Sequence, residues 1–154
     1  RYFKADANSE GGTHNPLIVF WPKGIKEKGI RTQYSHITDI TPTTLELTGA
    51  KIPTVINGYV QEPFEGTSFA YSIDNANLPS RKTVQYYEIN GSRAIYKDGW
   101  KAGALHVRGQ SFDADKWELF NLNEDINERF DLSAKYPEKL KELKDVFDAE
   151  AYKY

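Results

Sequence analysis

Three short stretches hold most of the side chains in this 154-residue chain whose types and spacing could do chemistry. Glu10-Gly11-Gly12-Thr13-His14-Asn15-Pro16 places a carboxylate, a hydroxyl and an imidazole around a glycine pair. Paired glycines let a backbone take positive φ and approach a ligand closely. The imidazole of His14, neutral or charged, can donate a hydrogen bond to an anionic or sugar oxygen; its alternative role is to fasten the loop. His106 and Arg108 form a second set in the segment from Leu105 to Lys116. The acidic pairs Asp113/Asp115 and Glu124/Asp125 are the third, and could be proposed as oxygen ligands for calcium. Neighbouring loop carboxylates are ordinarily solvated, so the expectation is that this chain binds no metal. With no cysteine in the sequence, disulfides, thiolate metal sites and a cysteine nucleophile are excluded.

The elements that must position these residues follow from periodicity and turn chemistry. Leu17-Ile18-Val19-Phe20-Trp21, entered through Pro16, reads as a strand buried on both faces, fed by a polar loop as in many α/β enzymes. With its sheet neighbours largely outside this chain, Leu17–Phe20 should here expose an apolar face, bind a partner or depend on contacts with the missing lobe. Pro22 to Gly29 is a basic surface turn. From Ser35 to Gly49 the spacing predicts a short helix, capped by Asp39 or Thr41, with Pro42 in its first turn and Gly49 at its end. Ile37, Ile40, Leu45 and Leu47 would face inward. Lys51 to Thr67 reads as loop, Ser68 to Ile73 as one more helical turn, and the polar break Asp74–Pro79 as the boundary between a lobe over 1–78 and a lobe over 79–154.

Beyond that break the period changes to two. Thr83–Ile89 and Ser92–Tyr96 flank Asn90-Gly91, a type I′ hairpin signal that also explains the Asn90-Gly91-Ser92 glycosylation match. Asp98-Gly99 turns the chain into a third strand over Trp100–Leu105, and Trp117–Leu122 alternates as a fourth. Pro137 opens a helix whose apolar stripe, Leu140, Leu143, Phe147 and Ala151, packs on one face of the resulting antiparallel sheet. Basic and acidic side chains number 20 and 22 and are interspersed, which argues against nucleic acid or an anionic membrane surface as partner. No apolar run approaches a bilayer's thickness. Without methionine, and starting at Arg1, the sequence reads as a processed or cut piece of something longer. Its aromatic content of 14% fits a β-rich core or a sugar-stacking surface.

Taken together, the Glu10-Gly11-Gly12 stretch, the Ser35–Gly49 helix, the Arg93–Lys101 segment and the Trp117–Leu122 segment resemble the C-terminal portion of an arylsulfatase-type sulfatase. The likeness covers essentially the whole chain. It implies an α/β fold, α+β within this piece: the end of an alkaline-phosphatase-like lobe, then a four-stranded antiparallel sheet with a terminal helix. Such enzymes hydrolyse sulfate esters with a formylglycine made from the first residue of a Cys/Ser-x-Pro-x-Arg signature, beside calcium or another divalent cation. Asn77-Leu78-Pro79-Ser80-Arg81 imitates the tail of that signature, but its asparagine has neither thiol nor hydroxyl to oxidise, and the stretch leads into a strand rather than a helix. The nucleophile and metal ligands would lie in an N-terminal catalytic lobe outside this chain.

The resemblance also implies a sulfate-contacting lysine five residues before the glutamate. Counting back from Glu10 gives Ala5; Lys4 is one place further, and either a one-residue insertion restores the match or Lys4 is a solvated terminal lysine. His14, His106 and Arg108 become candidates for substrate contact. The expected reading is a piece of a sulfuric ester hydrolase, inactive alone, its substrate an aryl or glycan sulfate and its principal partner the catalytic lobe; a periplasmic or secreted enzyme fits that picture. A stand-alone anion or sulfated-glycan binding module is the main alternative. A related phosphoryl-transfer enzyme fits the motifs less well.

Overall fold

Two dipeptides set the architecture of the C-terminal half. Asn90-Gly91 has φ of 52° and 84°, and Asp98-Gly99 has 48° and 83°, so each tight turn reverses the chain with the left-handed residues a type I′ turn needs. In the computed structural model, which describes residues 8–153, these turns join β3 (Val84–Ile89), β4 (Ser92–Lys97) and β5 (Trp100–Ala104), and β6 (Trp117–Asn121) completes an antiparallel sheet in the order β3-β4-β5-β6. The predicted meander and terminal helix, α3 (Pro137–Ala151), are therefore present, and the fold is mixed α+β.

Strand alternation gives the sheet two different faces. The register aligns Tyr86, Ile95, Ala102 and Leu119 across one face, where Leu143 and Phe147 of α3 close the apolar core. Phe147 stacks on Tyr86 at 4.8 Å and meets Trp117 edge-on at 5.3 Å. The opposite row, Gln85, Tyr96, Lys101 and Phe120, puts a lysine near the middle of the other face. Lys101 is 1% exposed, which only a close anionic partner makes tolerable.

That partner arrives from the other end of the sequence. The chain divides into two compact units, one comprising the residues up to Leu17 with Thr83 onward, the other Ile18–Lys82. The break between these units falls between Lys82 and Thr83, and residues 8–17 group with the sheet. Lys4 lies outside the described residues. The Glu10-Gly11-Gly12 loop of positive φ is instead one helical turn, α1 (Glu10–Thr13), and neither glycine is among those with positive φ.

The second unit has little regular structure. Its helical part is a 3-10 turn, Ile37–Asp39, running into α2 (Ile40–Thr48), which Gly49 ends at φ 68° as predicted. Ala70–Ser72 supplies the further predicted turn. Two expectations fail here. Ile37 is 75% exposed and Ile40 is also exposed, because α2 buries Thr43 instead: its hydroxyl donates to the Asp39 carbonyl and accepts the Phe69 N–H. Leu45 and Leu47 are half-buried. Leu17–Phe20 forms no strand, although it does expose the apolar face expected of it, with Ile18 at 90%. A buried strand needs a neighbour on each side, and among the described residues none pairs with this one. The region read as loop contains a small hairpin, β1 (Val55–Ile56) and β2 (Tyr59–Val60), around Asn57-Gly58.

Candidate functional site

The α1 turn is fixed to the sheet by charge. Lys101 Nζ donates to Glu10 Oε1 at 2.7 Å and to Thr13 Oγ1 at 2.9 Å, and lies 3.6 Å from Glu128 Oε1. The Tyr87 ring stands 5.3 Å from the same ammonium. Glu128 Oε2 accepts the Glu10 backbone N–H at 3.0 Å, an orphan donor of the helical turn. Thr13 in turn donates to the Ser9 carbonyl, and Asn8 donates to the Ala104 and Arg93 carbonyls of the sheet. These bonds explain why the glycine pair is helical: the turn's first N–H and its leading carboxylate are both captured from a distance. Glu128 itself is 2% exposed and sits at φ 51°, a left-handed conformation costing roughly 1–2 kcal/mol for a residue with a Cβ. Its Oε2 hydrogen bond and its ion pair with Lys101 offset that.

His14 follows the turn with its side chain 61% exposed, and its Nδ1 lies 3.2 Å from Glu10 Oε2. Glu10 thus bridges a buried cation and an exposed imidazole, one carboxylate oxygen to each. Nearby on the same sheet face, burial pushes the Tyr96 hydroxyl above its ordinary pKa; the Gly99 N–H opposes the rise, and the Asp98 and Glu10 charges add to it.

His106 and Arg108 part company. The His106 ring stacks on Phe112 at 4.2 Å, and its Nδ1 contacts Asp115 Oδ2 at 3.0 Å with 9% of the side chain exposed. Asp115 also takes Arg93 at 2.7 Å, and Arg93 faces the Phe112 and Trp117 rings. Gly91 is required beneath this group, since a Cβ there would come within 2.7 Å of the His106 ring. Arg108 is exposed at the tip of the same connection. The cluster pins the loop that carries Arg108.

The acidic pairs do not fit a calcium site. Asp115 is consumed by Arg93 and His106, and Asp125 accepts the backbone N–H groups of Arg129 and Phe130. No group of three or more metal-binding side chains converges among the described residues.

In the other unit Asp39 is the hub. It is fully buried and accepts the Thr67 N–H, the His36 N–H and the Lys82 ammonium, at 2.7, 2.7 and 2.9 Å. His36 caps the 3-10 turn by accepting from Thr38 N–H. Burial, then the Lys82 charge, hold its pKa below 6.5 against the opposing pull of Asp39. The decoy stretch is structural as well: Ser80 Oγ accepts the Tyr34 N–H, and Arg81 covers the Tyr71 ring.

The fold is shared with a solved structure described as in complex with its substrate D-glucosamine-2-N,6-O-disulfate. The TM-score is 0.59 at 22% identity, over 84% of this chain and 26% of that one. Residues 1–151 match the family described as N-sulphoglucosamine sulphohydrolase, C-terminal, and the chain belongs to that family of sulfatase C-terminal regions. It is 28% identical to arylsulfatase K of Xenopus laevis over 93% of this chain and 27% of the relative. To the N-acetylglucosamine-6-O-sulfatase of Bacteroides thetaiotaomicron it is 26% identical, over 90% and 25%. The chain therefore spans about a quarter of the length of these curated relatives.

Sequence reasoning missed Lys101 and Glu128, the residues that hold the turn. For Lys101 a signal existed: period-two alternation puts it opposite Ala102, on a central strand, where a lysine needs a partner. Nothing local marks Glu128.

Proposed function

We propose that this chain works as the C-terminal portion of a sulfuric ester hydrolase, in which the α1 turn and His14 form part of the rim that receives the sulfate ester. The observation that carries the reading is the Lys101–Glu10–Glu128 anchorage, which fixes an exposed imidazole at the end of a buried, charge-locked turn. Such preorganisation is wasted on a solvated loop and suits a group that must meet an anion in one place. Arg108, held out by the His106–Asp115–Arg93 cluster, and Lys4 are further candidates for contact with the ester. Two similar proteins carry descriptions naming glucosamine sulfates, which favours a sulfated amino sugar over a simple aryl ester.

The residues of this chain bind and orient; they do not cleave. A formylglycine nucleophile and a divalent cation, supplied by a catalytic lobe, would provide the attack and the charge neutralisation. The test is twofold. The coding sequence upstream of Arg1 should contain a Cys/Ser-x-Pro-x-Arg signature and an Asp-Asn pair. The purified 154-residue chain should release no sulfate from 4-nitrophenyl sulfate or glucosamine 6-sulfate, whereas the product of the whole coding sequence should. Absence of the signature, or turnover by the chain alone with contaminants controlled, overturns the reading.

A further inference from the structure

The chain carries the tripeptide Ile-Asn-Gly twice in the same setting. Ile56-Asn57-Gly58 and Ile89-Asn90-Gly91 each turn a hairpin, with φ of 52° and 86° in the first and 52° and 84° in the second. An asparagine followed by glycine is the pair whose side-chain amide is most open to attack by the next backbone nitrogen, because glycine puts no side chain in the way. Sequence and backbone treat the two turns alike. Their surroundings do not.

Around Gly91 the turn is closed in. Its N–H donates to Glu88 Oε1 at 2.8 Å, and a Cβ added to it would lie 2.7 Å from the His106 ring. The strands it joins, β3 and β4, pair over six residues each. Around Gly58 nothing lies within 4 Å of where a Cβ would stand, and its N–H meets no acceptor among the described residues. Only two residues pair on each side of that turn, backed by one bond from the Gln61 N–H to the Thr54 carbonyl at 2.9 Å, and all of residues 51–60 are exposed.

We infer that Asn57 is a site of spontaneous covalent modification in the folded chain, and that the fold protects Asn90 from the same chemistry. The Gly58 nitrogen gives up its proton and bonds to Asn57 Cγ; the Cγ–Nδ2 bond breaks, and ammonia leaves with that proton. Water then opens the cyclic imide. Opening at Cγ leaves aspartate in an unchanged backbone, whereas opening at the backbone carbonyl leaves isoaspartate and lengthens the main chain by a carbon. Either product adds a carboxylate to a hairpin, Val55–Val60, that has none. The isoaspartyl form also changes the two-residue loop that sets the pairing of β1 with β2. At Asn90 these steps are opposed twice. The turn must first leave its ladder, and the Gly91 nitrogen must lose its proton beside the Glu88 carboxylate, whose charge disfavours a second negative charge. The inference is independent of any hydrolase activity.

The test compares the two asparagines within one molecule. The 154-residue chain is held in mildly alkaline buffer, sampled over weeks and cleaved with pepsin in acid, and the Asn57 and Asn90 peptides are followed by mass spectrometry for conversion of amide to acid. Asn57 should convert faster by about tenfold or more, the effect of a single hydrogen bond to a charged group. In concentrated urea the two rates should converge, since both asparagines follow isoleucine and precede glycine. Glu88→Ala, at an exposed position, should speed Asn90 and leave Asn57 unchanged. Asn57→Gln should remove the fast conversion. Equal rates in the folded chain, a difference that persists in urea, no conversion at Asn57, or an Asn90 rate unmoved by Glu88→Ala would each overturn the inference.

Discussion

The two units are held together by opposite means. Around the sheet, Ile95, Ala102, Leu119, Leu143 and Phe147 form an apolar core, and the buried Lys101 ion pairs lie on the far face. In Ile18–Lys82 the buried side chains are chiefly polar, Asp39, Thr43, Ser72 and Lys82, while Ile18, Phe20, Ile30, Tyr59 and Val60 are largely exposed. One unit is organised by removing apolar surface from water, the other by satisfying backbone N–H groups around a single carboxylate. A sequence can therefore look evenly hydrophobic while only part of it uses that hydrophobicity internally.

Asp39→Ala is the hardest test of this contrast. It strands the Lys82 ammonium and two backbone N–H groups, and removal of one partner from a buried ion pair costs about 3–5 kcal/mol. Hydrogen exchange should show protection lost in Ile18–Lys82 and kept in β3 to β6; uniform loss would erase the distinction. Leu143→Ala should do the converse, lowering the stability of the sheet unit by about 3 kcal/mol in denaturant unfolding.

Acid should separate the units more gently. His36 has a lowered pKa, so the stability it contributes is present above 6.5 and fades as pH falls from 6.5 toward its lower folded value. Asp131, in the sheet unit, is pushed up by burial, but the Ser133 and Leu119 N–H groups and Lys116 outweigh that and hold it below 3.8. Its contribution survives until pH falls below 3.8. Amides of Ile18–Lys82 should lose protection first on acidification, and the reverse order would contradict the assignment. The smallest effect belongs to Ile18→Ser, expected to change stability by less than about 0.5 kcal/mol because 90% of the residue is already in water.

How much of this could be read from sequence depended on how far each residue's partner lies along the chain. The Asn90-Gly91 and Asp98-Gly99 turns, the strands beside them and α3 were legible because their determinants are local. Asn57-Gly58 sends the same signal, with φ of 52° and 86°, but the strands it joins are two residues long and show no alternation. Leu17–Phe20 forms no strand because composition cannot supply a neighbour, while the apolar face it exposes was expected. The α1 turn was misread as loop because its helical form depends on Lys101 and Glu128. His14 stood out by type and place; its approach to Glu10 is visible only in the folded chain.

The Glu10–Glu128 bond joins positions 118 apart. At synthesis rates of about 5–20 residues per second, roughly ten seconds separate the appearance of one partner from the other. All of Ile18–Lys82 and the whole meander are made in that interval. The turn carrying His14 is thus among the first parts of the described chain to be built and among the last able to find its place, and a chaperone or protease meeting the nascent polypeptide would find Glu10 still waiting for its ammonium.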